Sequence, residues 1–165
     1  MKILVYTDGS YTASQEANNA KAGIGVFYPQ FQEFSLSENL PFEKKTNNRA
    51  ELWAIIRALQ KIKENSEEFN LQKTEYIKIY TDSMLMVKTF NCWIEKWIKN
   101  DYIGIQNTDL LRIAHQTIQD FKIPVKFKHV RGHQAKPDDD RRWFKWYCNN
   151  EADKLAKAGS KKCDK

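Results

Sequence analysis

The stretch Lys2-Ile3-Leu4-Val5-Tyr6-Thr7-Asp8-Gly9-Ser10 decides how this chain is read. Ile3 to Tyr6 is β-branched and aromatic enough for a buried strand. Asp8-Gly9 interrupts the apolar run, since glycine enters turns readily. That places Asp8 where a central strand stops, on the rim of a sheet. The device recurs at Ile77 to Met84, IKIYTDSM, where an apolar strand again ends in Tyr-Thr-Asp and a small polar residue. Two strands ending alike set Asp8 and Asp82 side by side. Like charges at contact distance repel, so the pair calls for a cation or a shared proton. Taken singly, either aspartate also suits a turn or a helix N-cap.

The totals narrow the class. A chain of 165 residues, 41% hydrophobic and 29% charged, reads as one globular domain over residues 1–160 with a charged tail at 161–165. No apolar run approaches the length of a membrane span, and the apolar run behind Lys2 is too short for a secretory signal. We therefore expect no membrane partner and an intracellular, cytoplasmic or nuclear location. Cys92, Cys148 and Cys163 are odd in number and lack CxxC spacing, which suggests neither a disulfide framework nor a zinc site. A net charge of +6 favours a polyanionic partner.

Outward from the first run, Tyr11 to Lys21 reads as a loop. Ala22 to Tyr28 reads as a second strand, whose Gly23 and Gly25 indicate close approach of another backbone. Phe31 to Leu40 alternates in part, as a half-exposed antiparallel strand does. A helix follows, with Leu52, Ile55, Ile56, Leu59 and Ile62 on one face. Glu51 stands at the edge of that face, where a carboxylate needs a partner. Asn48 as N-cap with Glu51 three residues on is the alternative, a capping box. Strand, helix and strand up to Asp82 form a crossover unit. Met84 to Phe90 and Cys92 to Asn100 read as short helices, the second with Trp93 and Trp97 on one face. Those tryptophans suit either a core or, beside lysines, a surface for a nucleic-acid backbone. Asp109 to Phe121 is an amphipathic helix capped by Thr108. Pro124 to Val130 is a fifth strand. Asn149 to Ala158 is a final helix stopped by Gly159.

Four acids fall at element ends or on helices: Asp8, Glu51, Asp82 and Asp153. An all-oxygen set without a histidine or cysteine cluster suits a hard cation, Mg²⁺ or Mn²⁺. In a basic protein it points to phosphoryl chemistry, in which two ions roughly 4 Å apart serve an in-line displacement. Spacing alone does not bring the four together.

The ordered set YTDGS, TNNRAEL, YTDS, HVRGH and NNEADKLA resembles type 1 ribonuclease H across Val5 to Gly159. The resemblance implies an α/β ribonuclease H-like fold: a five-stranded mixed sheet, three antiparallel strands then parallel ones, flanked by helices. It implies hydrolysis of the RNA strand of an RNA–DNA hybrid, leaving 3′-hydroxyl and 5′-phosphate ends, by a monomer. Asp8, Glu51, Asp82 and Asp153 match the family's metal-binding acids, and His133 matches its mobile histidine. Asn47 and Asn48 match residues that read the minor groove, where 2′-hydroxyls distinguish RNA. Lys44, Thr46 and Asn107 fall where the family grips a DNA phosphate. Trp93 and Trp97 match the wall of its DNA channel. Alternatives are a non-catalytic binding module, which gains nothing from clustered acids near phosphates, and another phosphoryl-transfer enzyme on the same scaffold.

Several positions depart from the family pattern. Ser14 stands where the family often has asparagine, and Leu85 where it often has a third aromatic. The segment between Trp97 and Asn107 is short, with Lys99 as its only base. His133 and Asp153 are further apart than is typical, the extra length being Gln134 to Cys148. Arg141, Arg142, Trp143 and Lys145 there form a substitute grip on the hybrid, or a helix extension packs Trp143 and Trp146 on the core. A start at Met1 and the tail Ser160 to Lys165 favour a free enzyme over a piece of a reverse transcriptase.

Overall fold

The computed structural model describes residues 1–14 and 20–162. Its first strand, β1 (Lys2–Thr12), does not stop at Asp8. It runs on because β2 (Lys21–Phe27) pairs with it antiparallel throughout, Asp8 opposite Gly25 and Thr12 opposite Lys21. The break falls on the other side. There β4 (Tyr76–Thr81) pairs parallel with β1 and ends with Thr81 opposite Thr7. Asp8 thus lies just past the point where β1 outruns β4, and Asp82 just past the end of β4. The two carboxylates come together as expected, but one belongs to a continuing strand. The loop expected over Tyr11 to Lys21 loses its ends to strands, and residues 15–19 lie outside the described residues.

β3 (Leu36–Asn39) is shorter than expected, because Gln32–Phe34 forms a 3₁₀ turn. β5 (Val125–His129) closes the sheet parallel to β4, so the strand order is β3-β2-β1-β4-β5, mixed as the resemblance implied. Alternation gives each strand two faces. Ile3, Val5, Ile77, Ile79 and Phe127 point to the larger core. There they meet Leu52, Ile55, Ile56, Leu59 and Ile62 of α1 (Asn47–Glu64) and the apolar stripe of α4 (Thr108–Gln119). Tyr6, Phe27 and Tyr80 point the other way, against Cys148 and Ala152 of α5 (Asp140–Ser160).

Caps differ from expectation where backbone geometry overrides residue preference. Thr46 caps α1, its hydroxyl accepting from Arg49 N–H at 3.1 Å, so no capping box forms at Asn48 and Glu51 is released to point elsewhere. Asn107, in left-handed conformation, precedes α4, and Thr108 is its first residue. α2 (Met84–Lys88) and α3 (Ile94–Lys99) are joined by a π turn over Thr89–Trp93 rather than separated. α5 begins well before Asn149, with Asp139 accepting from the N–H groups of Arg141 and Arg142, and runs through Gly159. The insertion is helical, as one alternative had it, but the core packing expected of Trp143 and Trp146 is not seen: Trp143 is exposed and stacks on Tyr147, and neither tryptophan joins a core cluster. No described helix is long and apolar enough to cross a membrane.

Glycines 23 and 25 do what their pattern indicated. A Cβ at Gly23 would collide with Ser160 N, and one at Gly25 with Ala152 O, so α5 lies directly on the backbone of β2. Gly25→Ala is expected to lower stability by roughly 1–3 kcal/mol through this overlap, read as a lower urea midpoint. An unchanged midpoint would show that α5 can lift away without penalty.

Candidate active site

The site begins with a third close approach. A Cβ on Gly9 would lie 2.5 Å from Glu51 N and 2.7 Å from Ala50 C. Glycine at this position lets the first turn of α1 rest on β1, which carries Glu51 to Asp8. Asp82 arrives from the end of β4. One carboxylate oxygen from each of Asp8, Glu51 and Asp82 lies within 4.8 Å of the others. Asp8 and Glu51 are buried, at 3% and 4% exposure, and Asp82 is half-buried.

Burial and mutual repulsion act together on these groups. Burial, then the charges of Glu51 and Asp82, push Asp8 far above the usual carboxylate range. Burial, then Asp82, pushes Glu51 up to about 8, against the opposing hydrogen bonds from Asp8 and Gly9 N–H. Burial also raises Asp82, while the neighbouring His133 works against the rise. Glu51 Oε2 is buried without a hydrogen-bond partner. Three converging carboxylates, one of which carries an unpartnered buried oxygen, fit a hard divalent cation, which would neutralise the cluster.

Asp153 borders this triad without joining it. Its side chain is hydrogen-bonded with Asp8 and its charge bears on Glu51 and Asp82, while its carboxylate is also paired with Lys157 at 3.0 Å, one helical turn along α5. Between Asp82 and Asp153 a small cavity of about 30 Å³ is lined by both, with Arg131, His133, Trp146 and Asn149. His133, exposed and with φ of 52°, stands at its mouth. Gly132 makes this possible, since a Cβ there would come within 2.6 Å of Asp82 Oδ2. The indole N–H of Trp146 donates to Gln134 O at 2.8 Å, tying the histidine loop to α5. Asn149, the first residue of the NNEADKLA run, lines the same cavity with a buried Oδ1 that lacks a partner.

The residues expected to grip substrate gather beside α1. A groove of about 200 Å³ is lined by Asn48, Leu85, Thr89, Trp97, Gln106 and Asn107, among others. Trp93 touches Trp97, ring centres 5.8 Å apart, and Asn47 is exposed on the first turn of α1. Lys44 and Thr46 immediately precede that turn. Arg49 holds these parts together. Nearly buried, its guanidinium donates from Nε to Lys44 O, to Asn107 Oδ1, and through two nitrogens to the Asp109 carboxylate at 2.9 and 3.0 Å. It also lies over the Phe42 ring. The signal was legible, because Arg49 shares a helix stripe with Leu52 and Ile56, and a buried charge demands a partner.

Comparison with known proteins supports the same reading. A family model described as RNase H matches residues 1–161. The chain belongs to the RNase H family. Ribonuclease HI of Campylobacter jejuni is 34% identical over 139 residues, which are 84% of each chain. Ribonuclease H of Schizosaccharomyces pombe is 32% identical over 162 residues, 95% of this chain and 52% of that one. This RNase H family chain thus spans about half of the yeast relative's length. Among solved structures, a prototype foamy virus protease–reverse transcriptase shares the fold at TM-score 0.74 and 22% identity, over 98% of this chain and 21% of that one. A foamy viral protease–reverse transcriptase in complex with RNA/DNA hybrid also shares it, at TM-score 0.71 and 20% identity over 96% and 20%.

Two outcomes follow from the site's electrostatics. A carboxyl raised by folding binds its proton more tightly in the folded state. Its contribution is therefore full below the unfolded value of about 4 and is lost as pH rises toward the folded one. In chelator, the melting temperature should fall from about pH 4 through about pH 8, where the Glu51 contribution is spent, and continue to fall above it because Asp8 is raised further still. Asp8→Asn should remove much of that fall, and added Mg²⁺ should reduce it in the unaltered protein; parallel curves in all three conditions would refute the account. Separately, Arg49→Met should destabilise by about 1–3 kcal/mol, by leaving its acceptors unpaired, measured by urea denaturation.

Proposed function

We propose that the chain hydrolyses the RNA strand of RNA–DNA hybrids as an endonuclease, leaving 3′-hydroxyl and 5′-phosphate ends. The observation that carries this is the buried Asp8–Glu51–Asp82 cluster on an RNase H scaffold. Mg²⁺, or Mn²⁺ in its place, is the cation the oxygen donors suit, and a pair of such ions when bound would supply Lewis acidity and charge neutralisation for in-line displacement at phosphorus. Asp8, Glu51 and Asp82 hold that charge, with Asp153 completing the set once its carboxylate turns from Lys157.

His133 stands in reach of Asp82 from an exposed loop, so its ring can take or return a proton at the mouth of the site. Asn47 and Asn48 face the minor groove, where they read 2′-hydroxyls. Lys44, Thr46 and Asn107 hold a DNA phosphate, positioned by Arg49. Trp93 and Trp97 form the wall along which the DNA strand runs. Such contacts set position without reading sequence. The chain acts as a monomer in this reading.

End-labelled hybrid, single-stranded RNA, duplex RNA and duplex DNA should be compared with Mg²⁺, with chelator, and with Asp82→Asn. Cleavage of the hybrid alone, abolished by chelator and reduced at least about a hundredfold in the variant, is expected. A hybrid that is bound but never cut with either cation would overturn the nuclease reading in favour of a binding module.

A further inference from the structure

The sheet face opposite the larger core is only half covered. α5 packs along β3, β2 and β1 and leaves β4 and β5 for the most part open on that side. Alternation puts Tyr76, Lys78 and Tyr80 of β4 there, with Lys126 and Lys128 of β5. Register sets Lys78 beside Lys126 and Tyr80 beside Lys128. From the edge of α5, Lys145 reaches over the Tyr80 ring at 5.8 Å, and Arg141 stands one turn earlier on the same exposed edge.

Three of these ammonium groups, those of Lys78, Lys126 and Lys145, are held over tyrosine rings. Lys126 sits 4.0 Å above the Tyr76 ring and Lys78 5.3 Å above Tyr80, so their stems are packed and their charges stand at the surface. Neither strand contains an acidic residue. Among the described residues, none of Lys78, Lys126, Lys128 and Lys145 forms a salt bridge. Three charges on the adjoining strands, Lys78, Lys126 and Lys128, and a fourth, Lys145 on the edge of α5, repel one another, and a polyanion relieves that repulsion. The row is continuous with the candidate active site. β5 passes through Val130 to Arg131 and His133, and Lys145 adjoins Trp146, which with Arg131 and His133 lines the small cavity at Asp82. Lysines two apart on β5 are about 6.6 Å apart along the strand, a spacing suited to following an extended backbone.

We propose that the open β4–β5 face is a second nucleic-acid-binding surface, taking the phosphate backbone of a single strand that continues from the paired substrate. Its contacts are Lys78, Lys126, Lys128 and Lys145. Of the four insertion residues considered for a grip, Lys145 is the one the structure carries onto this face. The path from cavity to face rests on the hybrid occupying the site as proposed above.

The test uses the full chain with Asp82→Asn to stop cleavage. Fluorescence anisotropy would compare a blunt RNA–DNA hybrid, the same hybrid with a single-stranded extension at either end, and the free single strand, over a salt series. The extension at one end should tighten binding about tenfold at low salt. In Lys78→Gln/Lys126→Gln/Lys128→Gln that gain should vanish, with the slope of log affinity against log salt shallower by about 2, while the blunt hybrid binds as before. The matching triple Lys→Arg should retain the gain. Lys128→Glu alone, an exposed change over no ring, should lose part of it and guards against misfolding of the triple. Equal affinity for blunt and extended hybrids, or a gain that survives the glutamines or disappears with the arginines, overturns the proposal. A blunt hybrid that fails to bind, while the free strand binds through these lysines, sinks the hybrid reading of the active site and leaves this surface standing.

Discussion

Backbone-to-backbone approach at three glycines is the constraint on which the rest depends. At Gly9 the first turn of α1 rests on β1, and at Gly23 and Gly25 α5 rests on β2. Helices ordinarily stand off from a sheet by the thickness of their side chains. Removing that thickness at selected points brings Glu51 and Asp8 into one cluster from one side. It brings Asp153 to the cluster's border from the other. The apolar cores on both faces stabilise the layers, but the position of the carboxylates follows from where no side chain intervenes.

The cluster works against the stability of the fold that builds it. Burial and like charge both oppose ionisation at Asp8 and Glu51. The surrounding structure holds them together because each arrives on an element anchored elsewhere. Asp8 lies inside a strand paired through Thr12, Glu51 on a helix with a buried apolar stripe, and Asp82 at the end of a central strand. The sheet divides its faces accordingly. One face is apolar and closed by α1 and α4. The other is closed by α5 over β1 to β3 and left basic over β4 and β5.

Much of this was legible in the residues. The Tyr-Thr-Asp repeat located two carboxylates, the glycine pair in β2 located a close approach, and apolar periodicity located α1 and its crossover. Boundaries were less legible where pairing partners decide them. Asp8-Gly9 has turn chemistry, yet β2 carries the strand through it, because glycine there serves helix packing rather than a turn. Thr46 won the cap from Asn48 because both suit the role chemically and only the path of the backbone chooses. Arg49 carries the same signal as Glu51, a charge on an apolar stripe. Asn149 opens the NNEADKLA run, but its residue type alone assigns it no role, since an asparagine at that point suits a helix surface as well as a cavity wall. The open lysine face could not be read without register, which alone shows that Lys78 and Lys126 are neighbours.

α5 is a single helix from Asp140 to Ser160, so its residues are geared together. Each residue turns the helix by about 100° and advances it about 1.5 Å. Between Lys145 over Tyr80 and Asp153 at the acids, loss or gain of one residue would swing the upstream segment a quarter turn or more and carry Lys145 off its ring. Changes of about a whole turn or two would preserve the phase. The length of this segment is therefore quantised: descendants of this chain can lengthen or shorten it in helical steps, whereas the loop between Gln134, which Trp146 holds, and Asp139 has no phase to keep and can vary one residue at a time.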